Sequence, residues 1–155
     1  MHTKPKLPLF DRALGTAAWI ALASLWAITL YHYNSLPGTI PTHYDLSGKP
    51  DRYGKKAMLL LLPLIGTVLF AILGLLNRYP RFFNYPGKLT EANAARLLRI
   101  LRLGILLTFL TITWGTIIAA TGQAEGPGWW PLAALVCFIV LPAACFTIRA
   151  MQLSK

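Results

Sequence analysis

Residues 13–33 read ALGTAAWIALASLWAITLYHY, and this stretch decides the fold. It holds no Asp, Glu, Lys or Arg, and its one imidazole, His32, stands beside its end. A bilayer core about 30 Å thick takes roughly 20 apolar helical residues to cross. Three further runs meet that requirement, at 57–76, 103–121 and 129–148. Apolar residues run all round these segments, which is the pattern of a membrane span and not of a soluble amphipathic bundle. The expected fold is all-α: one domain over residues 1–155 with four transmembrane helices. The run at 13–33 follows a basic segment and contains the cleavage-like Ala21-Leu22-Ala23. Its apolar length exceeds the roughly 7–15 residues of a signal peptide, so it reads as an uncleaved anchor.

Composition agrees with this reading. Of 155 residues, 55% are hydrophobic and 13% charged, against about 25% charged in a soluble domain. That apolar content excludes disorder. Cys137 and Cys145 sit in one run, about 12 Å apart along a helix axis and too far for a mutual disulfide. They read as small buried apolar residues. The formal charge of +10 comes from 15 Lys+Arg against 5 Asp+Glu. In a soluble protein it would suggest nucleic acid; here the basic residues sort by loop. Lys4, Lys6 and Arg12 precede the first span. Arg78, Arg81, Lys88, Arg96, Arg99 and Arg102 lie between the second and third, and Arg149 and Lys155 follow the fourth. Only Lys49, Arg52, Lys55 and Lys56 fall in the loop between the first two spans. Lys and Arg accumulate on the cytoplasmic side, so both termini are expected inside and the first loop outside. Tyr31, Tyr33, Trp129 and Trp130 then fall at the outer interface, where such rings are enriched.

Prolines and small residues mark the packing. Pro142 is expected to kink the fourth span and Pro63 to bend the second near its start. Thr108, Thr111, Gly115 and Ala119 form a small-residue stripe along the third span, the kind of face that lets helices approach closely. Asn77, Arg78, Tyr79 and Pro80, with Phe83, Asn84, Tyr85 and Pro86, read as an interfacial stretch. Thr90 then has the chemistry of an N-cap, with Glu91 favourable in the first turn. From there an amphipathic cytoplasmic extension runs into the third span. Arg96, Arg99 and Arg102 are expected to line one side of it and to meet anionic lipid headgroups.

The outer loop is the most patterned part of the chain: Leu36, Pro37, Ile40, Pro41, Thr42, His43, Tyr44, then Gly48, Pro50, Asp51, Gly54 and Lys55. Its prolines favour an extended start. Ser47-Gly48 and Pro50-Asp51 carry turn chemistry. It reads as a small ordered cap, with Ile40, His43 and Tyr44 available to pack on the membrane face. Following directly on a first span, this string resembles the membrane family called domain of unknown function 1648, over roughly residues 13–76. That domain also forms the front module of immunity proteins against the sporulation-delaying toxin. The resemblance implies a prokaryotic cell-membrane protein of the same architecture, with Tyr44 standing where Phe is common.

No intramembrane ionisable group stands at a span centre, contrary to what ion-coupled transport needs. No His-Glu-x-x-His, Gly-x-Ser-x-Gly or phosphate loop is present. His32, His43, Asp45 and Asp51 form the one candidate constellation near the outer surface that could ligate a divalent metal; the blander expectation is that His43 and Asp51 bond backbone groups. The leading expectation is therefore a multi-pass protein that acts by binding, as an accessory or immunity-type protein, through its outer loop. It would need no cofactor and no nucleic acid. Its partners would be the bilayer, anionic lipids and a peptide or membrane protein. The alternatives are a metal or enzymatic site built on His43 with Asp45 or Asp51, and a subunit of a larger transport complex.

Overall fold

The computed structural model describes residues 8–79 and 91–154. Four helices are long and apolar enough to cross a membrane: Leu9–Tyr33, Lys56–Arg78, Ala92–Ala120 and Trp130–Arg149. The first is α1 (Leu9–Tyr33). The second opens with a 3-10 stretch at Lys56–Leu60 and continues as α2 (Leu61–Arg78). Pro63 falls in the first turn of α2, directly after the 3-10 stretch, near the start of the span. The third helix is α3 (Glu91–Ala120). The fourth is built from α4 (Trp130–Leu135), a π-helical segment at Val136–Val140 and α5 (Leu141–Ser154). Thr90 and residues 80–86 of the expected interfacial stretch lie outside the described residues.

The all-α expectation needs one correction. The loop after α1 is a two-stranded antiparallel hairpin, β1 (Thr39–Tyr44) and β2 (Pro50–Lys55). Thr39, Ile40 and Thr42 are β-branched and suit the pleat. Pairing runs from Thr39 with Lys55 to Tyr44 with Pro50, with irregularities on both sides of His43. Pro50 therefore opens a strand and is not part of the turn.

α3 is the hub, packing on α1, α2 and the fourth helix, whereas α1 and α2 touch each other little. Ala18, Ala21, Leu22 and Leu25 of α1 meet Phe70 of α2 and Leu106 of α3 in the main apolar cluster. One polar link crosses it: the Trp26 indole N–H donates to Thr67 Oγ1 at 2.9 Å, and Thr67 donates to the Pro63 carbonyl at 2.7 Å. Both polar ends are thus satisfied away from water.

The small-residue stripe on α3 meets the rest of its own chain. A methyl group on Gly115 would overlap Pro127, and one on Gly104 would overlap the Phe138 carbonyl. Phe138 lies four residues before Pro142, so its carbonyl is the one a proline leaves without its usual helical donor. The wider π winding just before Pro142 accommodates the ring, and the freed carbonyl lies against Gly104. The expected kink is realised as this π segment. Cys137 and Cys145 are exposed, contrary to the expectation of burial. In a membrane bundle the apolar exterior faces lipid, so an apolar run does not imply a protein interior.

Candidate functional site

The hairpin sits over one end of the bundle and is held to it at several points. Ile40 is buried with Leu36, Leu59 and Ile117 in a second apolar cluster. The Tyr44 hydroxyl donates to Thr116 Oγ1 of α3 at 3.0 Å, and burial raises its pKa above the ordinary phenol value. Lys56 ties the hairpin exit to the end of α1: its N–H donates to the Gly38 carbonyl at 3.0 Å, and its ammonium reaches the Tyr33 and Leu36 carbonyls at 3.3 and 3.5 Å. A cation beside the last carbonyls of a helix is favourable. Lys55, the motif residue, is exposed and makes no such tie.

The turn is organised by Asp45. One carboxylate oxygen accepts from the Ser47 N–H at 2.8 Å, the Ser47 hydroxyl at 2.6 Å and the Lys49 N–H at 2.9 Å. These bonds, the Ser47 hydroxyl first, hold its pKa below the ordinary carboxylate range. Gly48 closes the turn with φ +80°, a left-handed conformation that glycine adopts without strain. The same glycine packs directly on the loop before α4. A methyl on Gly48 would overlap Gly128, and one on Gly126 would overlap the Gly48 carbonyl. Three glycines, two from one loop and one from the other, thus bring two backbones into contact.

Of the bulky groups expected to face the membrane, Ile40 and Tyr44 do so and His43 does not. His43 Nδ1 lies 2.6 Å from Asp51 Oδ1 across the hairpin, with side chains 61% and 47% exposed. The two residues bond each other and not backbone groups. Asp45 is engaged in its own turn, and the His32 ring packs against Tyr31 and Trp114. Among the described residues, no group of three or more His, Cys, Asp or Glu side chains converges to hold a metal.

Beneath the hairpin, α2 and the fourth helix flank α3 without closing over it. Two hollows result, about 260 and 320 Å³. Both are lined by Thr42, Tyr44 and Ile112, so they are two bays of one lateral cleft divided by Tyr44. Thr108, Ile112 and Thr116 recur every fourth residue and form its floor. Ile65 of α2 walls one side, and Leu132 and Leu135 of α4 the other. Thr108 donates to the Gly104 carbonyl at 2.9 Å and Thr116 receives Tyr44, so the floor is polar but satisfied.

The opposite end of the bundle is basic and differs from expectation. Asp11 of α1 is buried, and Arg96 Nε and Arg99 Nη1 lie 3.1 and 3.5 Å from its Oδ1. Arg102 does not align with them. Its guanidinium lies over the Phe70 ring at 3.2 Å from the centroid, with Trp19 at 5.9 Å. Each step of three residues turns about 60° short of a full circle, so two steps carry Arg102 roughly 120° round the helix. Sequence reasoning missed Asp11, Lys56, Thr116, Gly126 and Gly128. Only the small size and turn chemistry of the glycines hinted at their role.

These features define a four-helix membrane protein whose first inter-helix loop is a docked hairpin over a lateral cleft. Residues 20–67, from mid α1 through the hairpin into α2, match the family model described as Domain of unknown function (DUF1648). The chain is also 40% identical over 97 aligned residues to an uncharacterized protein of Archaeoglobus fulgidus, a match covering 56% of this chain and 52% of the relative. The matched part therefore spans about half the relative's length. No solved structure matches the chain.

Proposed function

We propose that the protein is a membrane binding or accessory protein without catalytic activity, and that its recognition surface is the cleft under the hairpin. The observation behind this reading is a contrast within the site. The roof is locked through Tyr44, Lys56 and the three glycines, while the bays beside Tyr44 stay open to the side. A fixed roof over an open apolar cleft with a few placed hydroxyls is how membrane-level recognition is built without charge. The ligand suited to it is an apolar segment, either a peptide as in toxin immunity or a helix of a larger membrane complex. The count of basic loop residues supports a cell-membrane orientation with both termini in the cytoplasm and the hairpin outside.

A photoreactive residue at Leu132, on the cleft wall, tests this against one at Ile20, exposed on α1. In native membranes a discrete cross-linked species should form from Leu132 alone, and Gly48→Val should abolish it. Equal cross-linking from both positions rejects the cleft as the recognition surface.

A further inference from the structure

At the basic end, α3 and α5 part. Just before α5, the π segment is pressed on α3 where Phe138 meets Gly104. Further along, a hollow of about 220 Å³ opens between α3 and α5. Its walls are apolar, with Leu97 and Ile100 on α3 and Phe146 on α5. At its rim stand Arg96 of α3 and Arg149 of α5.

Among the described residues, charge in this region does not balance. Arg96 and Arg99 share the single Asp11 carboxylate. Arg96 commits its Nε and one Nη to that carboxylate, out of the five N–H donors a guanidinium carries. Among the described residues no carboxylate pairs with Arg149. The groove therefore offers two guanidiniums with donors to spare, and below them apolar walls about one helical turn deep. A soluble anion has no use for such walls, and a neutral lipid none for the excess charge.

We propose that this groove is a binding site for an anionic phospholipid. The headgroup phosphate lies between Arg96 and Arg149, and an acyl chain descends along Leu97, Ile100 and Phe146. Arginine suits this because its fork donates two parallel bonds to phosphate oxygens. The site differs from a plain stripe of arginines along α3. It takes one residue from each of two helices and omits Arg102, which is turned to the rings of Phe70 and Trp19.

Native mass spectrometry of the delipidated full chain tests it, with phosphatidylglycerol and phosphatidylcholine of identical acyl chains as the probes. Phosphatidylglycerol should bind at least about fivefold more tightly, and Arg149→Gln should remove about fivefold of that affinity. Arg78→Gln, at the same end but outside the groove, should leave it unchanged. Ile100→Trp, which fills the hollow and keeps every charge, should also release the lipid. Equal binding of the two lipids overturns the proposal. So does an equal loss in Arg78→Gln and Arg149→Gln, which would mean a diffuse basic surface. Displacement by glycerol phosphate at lipid-like concentrations would show that the acyl chain plays no part, and overturns it too.

Discussion

The two ends of this bundle are fastened by opposite means. At the hairpin end, backbone meets backbone: Gly48, Gly126 and Gly128 have no side chain to hold two loops apart. Two ion pairs there, His43 with Asp51 and Lys49 with Glu125, are exposed, and exposed pairs contribute little. At the basic end the fastening is electrostatic, through one buried carboxylate between two arginines of another helix. The first kind depends mainly on shape, with Asp45 in the turn as its pH-sensitive group. The second depends on charge and leaves a positive surplus that attracts anions.

The sharpest way to break the hairpin end is Gly48→Val. It combines a left-handed backbone position with overlap against Gly128. The expected cost is about 3 kcal/mol, read as early protease cleavage at residues 45–49 with the basic end intact. Asp11→Asn strikes the other end alone. It leaves Arg99, itself largely buried, without its counter-charge. A loss of about 2 kcal/mol is expected, as a lower melting temperature with unchanged hairpin protection. If either variant loosened both ends together, the ends would not be independent. Tyr44→Phe removes one half-buried hydrogen bond to Thr116 and should cost about 1 kcal/mol, measured by thermal melting in detergent. The smallest effect is acidification. Because the pKa of Asp45 is lowered by its turn bonds, its contribution is complete at neutral pH. That contribution is lost as pH falls through the lowered value, below the ordinary carboxylate range. Amide exchange at Ser47 and Lys49 should quicken there, and Asp45→Asn should remove the pH dependence.

The four spans were legible in sequence because length and hydropathy are local properties. Their ends were not. α1 begins at Leu9 and takes in Asp11 and Arg12; a first-turn position suits the Asp11 carboxylate, and partners on α3 make its burial tolerable. Arg96 is 85 positions away, and nothing local announces it. The hairpin was read as an ordered cap but not as strands, because Pro41 and the irregular pairing around His43 interrupt the alternation of a short strand. Tyr44 and Ile40 were recognised as packing groups. Thr116, which receives Tyr44, looked like one more threonine in an apolar run. The cysteines were misjudged for a different reason: residues that seek the interior in water face outward in lipid.

The position of α3 at the hub bears on how the chain is made. Spans emerge in order during synthesis, and α1 and α2 share less surface with each other, through the bond from Trp26 to Thr67 and the contacts of Trp19 with Phe70, than either shares with α3. Most of the surface on which both pack belongs to the third span. A chain cut after residue 79 would therefore lack Thr116, Ile117, Gly126 and Gly128, the groups on which the hairpin rests.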